Sequence, residues 1–167
     1  MASIKYGCIT PNVSGREYPV AASQYFRHDG VNAVYLDGSG HVTLALTATA
    51  TLKGTAIVPK GRGAGSSDNY WKSNATAAAD SVFVITDLEA EYLLPAGYTT
   101  IADTTITAAL AGNACDLVAV NDGTATFVDA DTSTTDVFLI QAAGTKYGGA
   151  ATDIVVKINP AKVQADT

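Results

Sequence analysis

Val31-Asn32-Ala33-Val34-Tyr35-Leu36-Asp37-Gly38-Ser39-Gly40-His41-Val42-Thr43-Leu44-Ala45-Leu46-Thr47-Ala48-Thr49-Ala50-Thr51-Leu52 is the stretch that decides the fold class. Beyond the Asp37-Gly38-Ser39-Gly40 turn, Val42, Leu44, Leu46, Ala48, Ala50 and Leu52 fall on one face, while Thr43, Thr47, Thr49 and Thr51 fall on the other. Side chains of a strand point alternately to its two faces, and no helix repeats with period 2. The segment therefore predicts a hairpin, with a first strand over Val31 to Leu36 and a long second strand over His41 to Leu52.

The rest of the chain has the same character. Strands are predicted over Thr55 to Val58, Ser81 to Thr86, Thr104 to Leu110, Asp116 to Val120, Thr124 to Asp129, Asp136 to Gln141 and Asp153 to Ile158, with a tight turn at Asn121-Asp122-Gly123. Thr86 and Glu89 fit a helix capping box. Leu88, Ala90, Tyr92 and Leu94 nevertheless alternate, and Asp87 to Leu94 is read as a strand ending at Pro95-Ala96-Gly97. Short strands about ten residues apart, separated by Gly, Asn and Asp, indicate an all-β antiparallel sandwich or barrel, jelly-roll-like, rather than a βαβ fold.

Two segments depart from this pattern. In residues 1–29, Pro11, Gly15 and Pro19 disfavour a helix, and the aromatics are irregularly spaced, so an extended N-terminal arm is expected ahead of a single β domain over 30–167. Such an arm either covers its own domain or lies on a neighbour, because Tyr6, Tyr18, Tyr25 and Phe26 are costly to leave in water. Residues 59–80 read as one long loop holding Lys60, Arg62, Tyr70 and the only Trp, Trp71, with a short helical turn possible across Ala75 to Ala79. Ordinary connections run to about 4–6 residues, and longer ones often carry function. Large aromatics and Arg dominate protein interfaces, so Tyr6, Arg16, Tyr18, Tyr25, Phe26, Lys60, Arg62, Tyr70 and Trp71 are the candidate partner-binding residues.

Composition narrows the function. Hydrophobic residues at 47% against 16% charged, in 167 residues, predict a folded core without staples. A net charge of −6 with the ten Lys and Arg scattered is the reverse of the clustered basic footprint that nucleic acid requires. The start Met1-Ala2-Ser3-Ile4-Lys5-Tyr6-Gly7 has no apolar core of a signal peptide, and no run approaches the roughly 18 apolar residues of a membrane helix, so cytoplasmic synthesis and no membrane partner are expected. Cys8 and Cys115 are read as isolated thiols, with a Cys8–Cys115 bridge as the alternative. The sequons at Asn12 and Asn74 need a secretory route and are discounted.

No motif carries catalytic chemistry. Gly61-Arg62-Gly63-Ala64-Gly65-Ser66-Ser67 lacks the Gly-Lys-Ser/Thr ending of a phosphate loop and the spacing of a dinucleotide fingerprint. Asp129-Ala130-Asp131-Thr132-Ser133-Thr134-Thr135-Asp136 offers alternating oxygens but lacks the sixth-position Gly and twelfth-position Glu of a calcium loop. His28 and His41 are the only imidazoles, too few for a three-histidine zinc site, and no Gly-x-Ser-x-Gly elbow supports a nucleophile beside them. A paired-carboxylate glycosidase finds little support with one Trp to line a cleft. A non-enzymatic protein with no cofactor and no metal is expected.

The start Met-Ala-Ser-Ile-Lys-Tyr-Gly, the segment Val31 to Val42 and the Ala/Thr/Gly-rich body of short strands resemble the decoration, or cement, proteins of tailed-bacteriophage capsids. The resemblance implies a structural protein on the virion capsid surface, bound to the major capsid protein, as a homotrimer that holds the shell through extended N-terminal segments and loops. A carbohydrate- or receptor-binding β-sandwich of tail or adhesin type is the other expectation. It would place Tyr70 and Trp71 in an aromatic groove.

Overall fold

A computed structural model describes residues 6–28, 30–59, 70–96, 108–120, 125–130, 134–147 and 153–165. The chain is all-β and antiparallel, with sheets stacked as in a sandwich. Among the described residues, thirteen strands run in chain order: β1 (Gly7–Cys8), β2 (Gly15–Pro19), β3 (Tyr25–Arg27), β4 (Asn32–Leu36), β5 (Val42–Leu44), β6 (Gly54–Ile57), β7 (Tyr70–Lys72), β8 (Ser81–Ile85), β9 (Tyr92–Pro95), β10 (Ala114–Val120), β11 (Ala125–Asp129), β12 (Phe138–Ala143) and β13 (Asp153–Ile158).

These strands build three layers. A six-stranded sheet has the order β1-β9-β13-β12-β10-β11, a five-stranded sheet β2-β8-β6-β4-β5, and β3 with β7 makes a two-stranded ribbon. Each large sheet is drawn mostly from one half of the chain, whereas the Greek keys of a jelly roll shuttle strands between its sheets. The five-stranded sheet is the middle layer. On one face, Ala33 and Ile85 meet Tyr92, Leu94, Leu117, Phe138, Ile140, Ile154 and Val156 of the six-stranded sheet. On the other, Val34, Leu36, Val42, Leu44, Ala56, Val82 and Val84 are covered by Phe26 and Trp71 from the ribbon, with Tyr18 and Val20 beside them. A strand buried on both faces reads as a continuous apolar run, as Ala33-Val34-Tyr35-Leu36 and Val82-Phe83-Val84-Ile85 do.

The described part of the segment read as an arm lies within this architecture. Gly7 and Cys8 pair with Leu93 and Tyr92, Gly15 to Pro19 pair with Ile85 to Ser81, and Tyr25 to Arg27 pair with Lys72 to Tyr70. Of the two fates open to the arm, the described part covers its own domain, since Tyr18, Val20 and Phe26 are worth more inside the core than in water. The loop 59–80 likewise contains a strand, β7, although residues 60–69 lie outside the described residues.

The expected hairpin forms, with Val34 opposite Leu44 and Leu36 opposite Val42, but its second strand ends at Leu44. Threonine hydroxyls break it. Thr49 Oγ1 accepts from Leu46 N at 2.8 Å while Thr49 N donates to Leu46 O at 2.9 Å, closing a turn, and Thr47 Oγ1 bonds both the N–H and the carbonyl of Ala119. Thr side chains compete with a ladder for backbone groups in this way. The predicted strand over Asp87 to Leu94 forms only from Tyr92, because Asp87 caps a turn through Glu89 N at 3.0 Å. Ala108–Leu110 is a single 3₁₀ turn rather than strand, with residues 104–107 outside the described set, as is the turn at 121–124. The segment Ala75 to Ala79 is a turn, not a helix.

Residues after β13 strap the two large sheets together. Leu52 N donates to Lys162 O at 2.9 Å, and Gln164 N donates to Leu52 O at 2.8 Å. The Gln164 side-chain amide then acts as a substitute peptide, accepting from Leu36 N and donating to Leu36 O, both at 2.7 Å.

Candidate interaction face

Period 2 divides the ribbon into two faces. Phe26 and Trp71 lie opposite each other and point inward, with ring centroids 5.6 Å apart. Their neighbours Tyr25, Arg27, Tyr70 and Lys72 therefore point outward, all partly exposed. Tyr25 and Tyr70 meet edge to face at 5.3 Å, and the Lys72 ammonium stands 4.9 Å from the Tyr25 ring centre. The Tyr25 hydroxyl holds the Lys72 pKa above its ordinary value through a hydrogen bond. On a chain of net charge −6, this face joins two tyrosines to two cations. A shallow cavity of about 300 Å³ continues it past Tyr25 and Tyr35 to Leu46, whose side chain is 56% exposed.

The ribbon is held rigidly. Asn32 Oδ1 accepts from Arg27 N at 2.9 Å and its Nδ2 donates to Arg27 O at 3.0 Å, so one side chain satisfies both backbone groups at the end of β3. At the other end Ser73 Oγ accepts from Gln24 N and donates to Ala21 O, both at 2.8 Å, and Gln24 Oε1 accepts from Leu44 N at 3.0 Å. Asn32→Ala is expected to cost about 1–3 kcal/mol and to accelerate amide exchange in the ribbon ahead of the sheets, because buried backbone partners lose their mates. Hydrogen-exchange mass spectrometry checks the order.

The nine residues nominated from sequence separate into groups. Tyr25 and Tyr70 come together on the outer face. Phe26 and Trp71, exposed 0% and 4%, belong to the core and are withdrawn as partner contacts. Arg16 Nε donates to Tyr18 Oη at 2.7 Å on β2; Tyr18 is buried, while Arg16 stays exposed. Tyr6 Oη donates to Asp153 Oδ1 at 3.1 Å, which ties the start of the described chain to β13; burial first, and the Asp153 charge second, push its pKa up. Lys60 and Arg62 lie outside the described residues. Arg27 and Lys72 escaped notice in the sequence, although each flanks a buried aromatic at the alternation a strand requires.

The groups with possible chemistry are also accounted for. The His41 Nδ1 stands 3.6 Å from Asp37 Oδ2, and Asp37 Oδ1 accepts from Ser39 N and His41 N, so this pair builds the hairpin turn. Cys8 and His28 both line one cavity, but burial raises the Cys8 thiol pKa, the opposite of what a nucleophilic thiolate needs. Cys8 and Cys115 are both free, the first exposed on β1 and the second buried on β10. In the acidic run 129–136, the described part serves structure. Asp116 of β10 accepts from Thr134 N, Thr135 N and Asp136 N at 2.8–3.0 Å, and among the described residues no cluster of metal-ligating side chains forms.

No known protein family, no curated protein and no solved structure matches this chain. Among the described residues, no helix is long and apolar enough to cross a membrane.

Proposed function

We propose that the protein is a capsid decoration protein of a tailed bacteriophage, a non-enzymatic β protein without cofactor that binds the outside of the major capsid shell as a homotrimer and stabilises it. The observation that supports this reading is the outer face of the ribbon. Tyr25, Tyr70, Arg27 and Lys72 are side chains of the kinds that dominate interfaces, displayed on a ribbon pinned from behind by Phe26 and Trp71. Preorganised contacts lose little entropy on docking. A trimer engaging several shell subunits at once multiplies modest contacts into firm attachment. The cationic face suits an acidic patch on the shell, and the acidic remainder keeps coated particles from associating.

A carbohydrate- or receptor-binding module is the other reading. It needs an open aromatic groove, and with Trp71 buried, Tyr25 and Tyr70 are the ribbon aromatics left among the described residues to line one.

The test is binding to undecorated shells. Tyr25→Ser combined with Tyr70→Ser and Lys72→Glu is expected to weaken sedimentation with shells at least tenfold while leaving the thermal midpoint within a few degrees. Wild-type protein is expected at regular lattice positions by electron cryomicroscopy. Normal sedimentation of the triple variant, or no lattice density for the wild type, would overturn the assignment.

A further inference from the structure

The groove that continues the ribbon's outer face runs over the edge of the middle sheet at β5, a shallow cavity of about 300 Å³ between Tyr25, Tyr35, Leu44 and Leu46. Leu46 sets its character. Period 2 places this leucine on the inner face with Val42 and Leu44, yet it is 56% exposed while Leu44 is 7% exposed. The display is built into the backbone: the turn with Thr49 ties both the N–H and the carbonyl of Leu46, and Thr47 Oγ1 fastens the next residue to Ala119 of β10. A single exposed leucine is ordinary on a protein surface. This one lines a groove together with Tyr25, and the Lys72 ammonium lies 4.9 Å from the centre of that ring.

We propose that the groove and Lys72 together receive one extended, acidic protein segment, an aliphatic side chain of which packs against Tyr25, Tyr35 and Leu46 while a nearby carboxylate pairs with Lys72. Under the capsid reading, on which only the identity of the partner rests, the segment belongs to the major capsid protein. Small-molecule sites enclose most of their ligand, and a shallow trough does not. A protein chain lying along it covers Leu46 and the two rings at once, and removing apolar surface from water is the main driving force for docking. The Ser23 and Thr43 hydroxyls in the lining suit the peptide groups of an extended chain. Charge selects the acidic kind. Lys72 and Arg27 stand on this face of a chain whose net charge is −6, so they give an acidic segment a local attraction that the chain's overall charge does not.

The probe is the peptide acetyl-Asp-Asp-Leu-Asp-Asp-amide, followed through the amide resonances of the full chain, with the same peptide carrying Gly for Leu, or Lys for every Asp, as controls. Saturable shifts confined to the ribbon and to residues around Tyr35, Thr43 and Leu46 are expected with the acidic leucine peptide, weakening as salt is added, and about tenfold weaker binding is expected with either control. Leu46→Ser and Lys72→Glu are each expected to weaken the peptide about five- to tenfold. Leu46→Ser is also expected to hold the thermal midpoint within a few degrees and to weaken sedimentation with undecorated shells by a similar factor. Peptide binding by a wild type that ignores the shells would support the groove and overturn the capsid reading alone. The proposal is overturned if the acidic leucine peptide gives no saturable shifts, if either control binds as well, or if either variant binds the peptide like wild type. It is equally overturned if the wild type sediments with shells and Leu46→Ser does so undiminished, or if Leu46→Ser lowers the midpoint by more than a few degrees, which would mean that its own chain already covers the leucine. Shifts at the same residues that grow with protein concentration alone would assign the groove to a second copy of the chain and overturn the proposal too.

Discussion

Trp71→Ala is expected to remove about 3–5 kcal/mol of stability, the range for deleting a large buried aromatic. Trp71 is 4% exposed, stacks on Phe26 and closes the face formed by Val34, Val82 and Val84 of the middle sheet. Beneath Trp71, β4, β6 and β8 of the middle sheet are each hydrogen-bonded on both sides, so that wall cannot collapse into the space left behind, and the cavity adds to the lost transfer energy. Against a typical 5–15 kcal/mol for a whole domain, this is a large fraction. Urea unfolding should show a lower midpoint at unchanged slope, whereas Tyr70→Ala, on the opposite face of the same strand, should stay within about 1 kcal/mol. Any loss of the proposed shell binding in a Trp71 variant would therefore be confounded by lost stability, which is why the binding test uses Tyr25, Tyr70 and Lys72. Equal losses at Trp71 and Tyr70 would contradict the assigned faces of the ribbon.

Asp116→Ala is expected to cost about 3 kcal/mol or more near neutral pH. The carboxylate is the shared acceptor for three successive backbone N–H groups, and removing it leaves each to find another partner at about 1 kcal/mol or more. These bonds outweigh the effect of burial and hold the Asp116 pKa below its ordinary value of 3.8. The sign follows from that direction. A depressed folded-state pKa contributes stability that is fully present above the unfolded value and is lost as pH falls through the folded one. The wild type should thus lose an increment of stability below about pH 4 that Asp116→Ala lacks at every pH. Asp116→Asn, which keeps one acceptor oxygen, should fall between them. Chemical denaturation from pH 7 to pH 2.5 checks the set, and parallel pH profiles for wild type and Asp116→Ala would contradict the cradle.

How much of this was legible in the sequence depends on strand length. The hairpin and the inward set Val42 and Leu44 follow from period 2, and most later strands begin and end near their turn residues. Alternation continues through Ala45 to Leu52, but the chain turns there, because Thr47 and Thr49 direct their hydroxyls to the backbone. Hydroxyl bonding leaves no trace in a pattern of polarity. The ribbon strands have three residues each, too short for alternation to be recognised, so Phe26 and Trp71 looked like adhesive aromatics on irregular segments. Tyr25 and Tyr70 were identifiable by type, but their meeting required the pairing of segments far apart in sequence.

The strap formed by Gln164 also bears on how the protein reaches its native state. Its contacts with Leu36 span 128 residues, and β1 likewise waits for β9, as β3 waits for β7. Closing such long loops costs chain entropy before any contact repays it, and proteins dominated by distant pairings reach the native state in milliseconds to seconds, against microseconds for helical bundles. Until the ribbon pairs, the apolar face under Phe26 and Trp71 has no cover from its own chain. Folding yield is therefore expected to fall as the concentration of newly made chain rises, even at unchanged stability of the finished molecule.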